Sequence, residues 1–190
     1  MNSRRLTLCA VVMALLCAAA VVAQDAGKPL PKATAEATIN GKKVAVTYGR
    51  PSINGQALAG KDLFEMAPVG TVWRFGRNEA TTIESAGKLE VGGKELDPGK
   101  YTLWARRLTA DKWVISFSTK TENNGKPLWG VDNTGQASVQ DGFVADLPLT
   151  AGKSAEKADN LDIKLSEVKG KAVMTVHFGN VTQSGSFGVK

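Results

Sequence analysis

The densest concentration of chemically capable side chains is Arg74, Arg77, Asn78 and Glu79, all in the run Val72–Thr81. Arg50, in Tyr48-Gly49-Arg50-Pro51-Ser52, is the nearest arginine upstream. Guanidinium forks suit a carboxylate or phosphate, because their donors are planar, fixed and always charged. Glu79 could hold an arginine in place, or exchange protons if its pKa were raised. The competing reading is a structural network of Arg–Glu and Asn–backbone bonds that fixes loops at one end of the fold.

Other motifs carry less. Gly55-Gln56-Ala57-Leu58-Ala59-Gly60-Lys61 has the spacing of a phosphate-binding loop. It lacks the following Ser or Thr, since Asp62 stands there, and no strand precedes it. Ser-x-x-Lys occurs at Ser85, Ser154 and Ser166. None lies on a helix with the further elements that serine hydrolases of that spacing add. His177 is the one histidine, which disfavours a His-based triad or a multi-histidine zinc site. We read it as a strand-surface residue sharing a face with Val173 and Thr175. Trp73, Trp104, Trp113 and Trp129 could stack on sugars, but each sits in or beside a strand pattern where packing in the core is the commoner fate.

The elements that must position these residues read as short strands. Asn40-Gly41 separates Ala35–Ile39 from Lys43–Tyr48, the strongest local hairpin signal, because both residues tolerate positive φ. Val44, Val46 and Tyr48 then share a face. Gly92-Gly93 joins Leu89–Val91 to Lys94–Leu96, and Asp97-Pro98-Gly99 turns the chain into Tyr101–Leu108. Trp113, Ile115 and Phe117 line one side of the next strand. Leu161–Leu165 alternates strictly, turns at Gly170-Lys171 and returns as Ala172–Phe178; Ser186–Val189 reads as a closing edge strand. Lys61–Ala67 reads as a short helix stopped by Pro68. The pattern predicts an all-β fold, a single antiparallel β-sandwich or jelly-roll-like domain.

The N-terminus predicts export. Arg4 and Arg5 precede an apolar stretch, Leu6–Val22, and Val21-Val22-Ala23 has small or compact residues at the cleavage positions. The stretch is about long enough to span a bilayer, yet the small-x-small site fits a peptidase better than a stop-transfer segment. We expect residues 1–23 to be a cleaved signal peptide, 24–34 a flexible tether with two prolines, and 35–190 the β domain. The destination is the periplasm or the exterior. Leu8 and Leu16 precede the cysteines, which disfavours a lipid anchor. Both cysteines, Cys9 and Cys17, lie in the leader, so the remainder must rely on a packed core rather than disulfides. Losing Arg4 and Arg5 lowers the net charge from +6 to +4. With no basic run of five, nucleic acid is not an expected partner.

The same segments carry a family resemblance. Tyr48-Gly49-Arg50-Pro51-Ser52, Val72-Trp73-Arg74-Phe75-Gly76-Arg77-Asn78-Glu79-Ala80-Thr81-Thr82 and Leu96-Asp97-Pro98-Gly99-Lys100-Tyr101-Thr102-Leu103 resemble the bacterial family Domain of Unknown Function 2911. Its members typically read Tyr-x-Arg-Pro-Ser, Trp-Arg-x-Gly-x-Asn-Glu-Ala-Thr and Pro-x-Gly-Thr-Tyr-Ser-Leu. Trp113-Val114-Ile115 and Trp129-Gly130 fit later blocks, and the likeness covers residues 33–189. Lys100 stands where the family usually has Thr, Ala67-Pro68-Val69-Gly70 replaces Val-Pro-Tyr-Gly, and Thr119–Lys126 is longer than usual. The resemblance implies an exported β-rich domain and assigns no activity.

The expectation is a non-enzymatic exported domain that binds a small polar, anionic or carbohydrate ligand through Arg50, Arg74, Arg77, Asn78 and Glu79. No catalytic residue, metal or cofactor is assigned, no membrane span survives cleavage, and the oligomeric state is open. The alternatives are a structural or interaction protein of the envelope, and a hydrolase of envelope sugars pairing Glu79 with Asp97 or Asp62.

Overall fold

The computed structural model describes residues 32–53, 64, 67–123, 126–127 and 140–190. The expected helix at 61–67 falls outside them except for Phe64 and Ala67, both buried. The phosphate-loop-like run, Asp62 and Trp129 also lie outside.

The chain opens with a hairpin of β1 (Lys32–Ile39) and β2 (Lys42–Gly49). Asn40 and Gly41 have φ of 48° and 75°, the positive pair that a two-residue turn needs to match strand twist. The strand begins at Lys32, so the last residues assigned to the tether, Lys32–Thr34, are paired with β2. The later strands are β3 (Val72–Trp73), β4 (Thr81–Ser85), β5 (Leu89–Val91), β6 (Lys94–Leu96), β7 (Gly99–Arg107) and β8 (Trp113–Ser118). They are followed by β9 (Glu122–Asn123), β10 (Lys126–Pro127), β11 (Phe143–Pro148), β12 (Thr150–Val168) and β13 (Lys171–Val189).

Two antiparallel sheets form a β-sandwich. One runs β1-β2-β4-β7-β8-β11, with β3 on β7; the other runs β12-β13-β5-β6. Val44, Val46 and Tyr48 do share the inward face, as do Trp113, Ile115 and Phe117. They meet Leu161, Ile163, Met174, Val176, Phe178 and Phe187 from the opposite sheet in one core. Such side chains contribute roughly 1.5–3 kcal/mol each on burial, which is how a domain without disulfides holds together.

Two sequence expectations need correction. The β12–β13 turn centres on Lys169 and Gly170, at φ 51° and 74°, one residue before the expected pair. Ser186–Val189 is no edge strand: it is the end of β13, which lies between β12 and β5. Asn40 anchors this region, its side-chain amide donating to Gly170 O and Val189 O, each at 2.9 Å. The outer face of β7 and β8 is also covered. Trp104, Ser116 and Ser118 are buried there, with Ala80, Val72 and Phe143 packed on Trp104.

Candidate functional site

The two arginine-bearing motifs do different jobs. After Tyr48, the chain runs along the free edge of β12 and bonds to it in succession. The Tyr48 hydroxyl accepts from the Ile163 N–H at 3.0 Å and donates toward Asp162 Oδ1 at 3.3 Å. Arg50 Nε donates to Leu161 O at 3.1 Å, and the Leu161 N–H donates to Pro51 O at 3.0 Å. Ser52 bridges Asn160. Burial raises the Tyr48 pKa most; the Ile163 hydrogen bond works against that rise, and the Asp162 charge adds to it. An unpaired sheet edge is a row of unsatisfied donors and acceptors. This segment closes that edge and ties the sheets together, and Arg50 is spent on it.

Residues 74–80 are an excursion between collinear strands. β3 pairs with β7 at Arg106 and Ala105, and β4 takes over at Leu103. The neck closes where Thr81 N–H donates to Arg74 O at 3.2 Å. Phe75 and Asn78 have φ of 56° and 67°. Asn tolerates that conformation; Phe does not, at a cost of about 1–3 kcal/mol. Phe75 offsets it by inserting fully into the core, edge-on to Trp73 at 5.7 Å, a gain of roughly 1.5–3 kcal/mol. The loop presses on β2 so closely that a Cβ at Gly49 would stand 2.0 Å from Arg77 O.

Glu79 leaves this loop in another direction. It pairs with Lys32 and lines an open groove of ≈ 560 Å³ on the outer face of the larger sheet. That volume lies in the range of small-molecule sites. Alternation places Ala45 and Thr47 of β2, Thr82 and Glu84 of β4, and Lys100 and Thr102 of β7 on its floor. Register sets Thr47, Thr82 and Thr102 in one cross-strand row and Ala45, Glu84 and Lys100 in the next. Thr121 and Glu122 complete the lining. Thr102 Oγ1 is engaged, donating to Lys120 O at 2.7 Å and accepting from Trp104 Nε1 at 3.0 Å. Thr47 Oγ1 is 3.3 Å from Thr34 Oγ1. Among the described residues, Thr82, Glu84 and Lys100 make no side-chain hydrogen bond or ion pair.

Of the five residues singled out in the sequence, Glu79 alone lines the groove. Arg50 faces β12, Glu79 faces the groove, and Arg74, Arg77 and Asn78 stay with the loop. Sequence reading missed Lys32, Thr47, Thr82, Glu84, Thr102 and Glu122. Their one advance signal was Lys100, the position that departs from the family pattern. His177 is on the strand surface with Val173 and Thr175, its Nε2 3.1 Å from Glu156 O. Ser85 is buried with its hydroxyl donating to Gly87 O at 2.8 Å. Trp104 and Trp113 are core residues. Among the described residues, no group of three His, Cys, Asp or Glu could hold a metal ion, and no helix is long and apolar enough to cross a membrane.

The fold and the groove define an antiparallel β-sandwich domain with a polar cleft on one outer face. Residues 30–185 match the family described as "Protein of unknown function (DUF2911)", and the chain belongs to it. No curated protein matches the chain, and no solved structure does.

Proposed function

We propose that this is an exported, non-enzymatic domain that binds a small, uncharged, hydroxyl-rich ligand, a carbohydrate, in the groove over Thr82. The observation that carries this is the convergence of the unpartnered Thr82 hydroxyl, Glu84 carboxylate and Lys100 ammonium on one open floor. Sugar hydroxyls both donate and accept. Threonine offers both roles, a carboxylate accepts and an ammonium donates. An anionic ligand is less suited: Glu79, Glu84 and Glu122 outnumber Lys32 and Lys100, and Lys32 is held by Glu79.

The hydrolase alternative gains no second acid beside Glu79 from the two that the sequence offered. Of the two acids expected to pair with Glu79, Asp62 lies outside the described residues. Asp97 pairs with Lys88 at 4.0 Å and is not a groove residue.

Calorimetry with a panel of neutral mono- and oligosaccharides tests the reading on the natural protein and on Ala45→Phe. Ala45 is half-buried on the groove floor between Val44 and Val46, which face inward. A phenyl ring there fills the groove on a residue type that suits strands. Saccharide binding that the variant loses supports the reading; a panel without binding refutes it. Export predicts a mature N-terminus at Gln24 in the periplasmic or culture fraction; a cytosolic chain starting at Met1 refutes it.

A further inference from the structure

The groove floor is a line of hydroxyls that runs across the strands. Register sets Thr34 of β1, Thr47 of β2, Thr82 of β4, Thr102 of β7 and Ser118 of β8 opposite one another in turn. Directly opposed residues share a face, so the line advances by one strand spacing, about 4.8 Å, per hydroxyl. Thr34 carries it one strand beyond Thr47, and their Oγ1 atoms are 3.3 Å apart. The walls follow the same direction. On one side the Lys32–Glu79 ion pair reaches from β1 to the residues just ahead of β4, past Gly49, which has no side chain to block it. On the other, Glu84 and Lys100 are cross-strand partners, with Ala45 opposite Glu84. The two ends differ. Lys120 closes one: its carbonyl accepts from Thr102 Oγ1 at 2.7 Å, and its N–H donates to Ser118 Oγ at 3.1 Å. Thr102 and Ser118 are buried there, and Thr121 and Glu122 continue as lining. The other end is open, since β1 is the outermost strand of the sheet and Thr34 is exposed.

We propose that the groove takes the end of a linear, β-1,4-linked saccharide, one ring to a strand, over Thr82, Thr47 and Thr34, with the rest of the chain leaving past β1. This rests on the carbohydrate reading of the groove and says which carbohydrate it holds. A trough that crosses the strands and stops at β7 admits a rod by its end. Its ≈ 560 Å³ falls among sites for ligands larger than one sugar ring. From Thr82 to Thr34 is two strand gaps, about 10 Å. Rings in an extended β-1,4 chain advance by close to one strand gap each, whereas an α-1,4 chain coils away from a straight line. Successive rings of the β-1,4 chain are turned over, and a threonine hydroxyl, able to donate or accept, serves either orientation.

Calorimetry with β-1,4-linked oligomers of glucose and of N-acetylglucosamine, from one ring to six, and with α-1,4-linked glucose oligomers tests this. The proteins are the natural chain, Thr34→Val and Thr38→Val. Affinity in a β-1,4 series should rise up to three rings and then level off, and the α-1,4 trimer should bind more weakly. Thr34→Val keeps a β-branched side chain on an exposed edge and removes only the hydroxyl. It should weaken the β-1,4 trimer about 2–12-fold and affect the dimer less. Thr38→Val, on the same exposed face of β1 but outside the trough, should change neither. The inference is overturned, and the groove remains a saccharide site, under any of four results: equal affinity from one ring to six, an α-1,4 trimer as tight as the β-1,4 one, an undiminished trimer affinity in Thr34→Val, or binding by other saccharides but by neither β-1,4 series. Absence of binding by every saccharide refutes the groove reading itself, and the inference falls with it.

Discussion

Tyr48→Phe isolates the seam between the sheets. The substitution keeps the ring in its place and removes one oxygen. That oxygen is the acceptor for the Ile163 N–H at 3.0 Å. Ile163 is on β12, whose other side already pairs with β13, and it is 3% exposed. Its amide would lose its partner in a buried setting, a penalty of about 1–3 kcal/mol. For a domain of this size the loss corresponds to a Tm lower by about 2–12 °C. Chemical denaturation gives the free energy, and amide hydrogen exchange gives the location: Ile163 should lose protection before the centre of β13 does. The effect also has a pH signature. Folding raises the Tyr48 pKa above its ordinary value near 10. The folded protein thus holds that proton more tightly than the unfolded chain. The hydroxyl's contribution is whole below about pH 10 and drains away as pH rises through the folded value. The stability gap between the natural protein and Tyr48→Phe should narrow there. A gap within about 0.5 kcal/mol at neutral pH, with Ile163 exchange unchanged, would refute the seam.

Asp146→Ala should cost about 1.5–3 kcal/mol. Arg106 donates to Asp146 Oδ2 at 2.8 Å and to Ser116 Oγ at 2.6 Å, and that hydroxyl donates to Asp146 Oδ1 at 2.6 Å. A cycle with Ser116→Ala should show coupling of at least about 0.5 kcal/mol; additive denaturation midpoints would contradict the network. Gly49→Ala must move the Arg74–Ala80 loop, since its Cβ meets Arg77 O at 2.0 Å. It should lower stability by about 1–3 kcal/mol, and an unchanged Tm would show that the contact is loose.

Legibility in the sequence followed the strength of local signals. Asn40-Gly41 and Gly92-Gly93 announced their hairpins because positive φ is a local demand on residue type. The faces of β2 and β8 were readable because each alternates large apolar side chains with small or polar ones. β4 was not, since Thr81-Thr82-Ile83-Glu84-Ser85 has one large apolar residue and followed a cluster that looked like loop chemistry. The early half of β12 is almost wholly exposed, so it gives no amphipathic signal. The candidate site suffered from the same gap. Arg74 to Glu79 are neighbours in sequence, but of them Glu79 alone lines the groove. The groove comes from residues far apart in the chain, joined by the register of β2, β4 and β7. Register depends on pairings that no single segment encodes. The Tyr-x-Arg-Pro-Ser block was conspicuous in the sequence, yet its partners at residues 160–163 are edge backbone groups, which side-chain patterns do not reveal.

The groove itself is tested most directly by amide chemical shifts of isotope-labelled protein titrated with the neutral saccharide panel. The account predicts saturable shifts at Ala45–Gly49, Glu79–Glu84, Lys100–Thr102 and Thr121–Glu122, the segments that line it. Unperturbed amides in all four segments throughout the panel, or saturable shifts confined to another face, would contradict it.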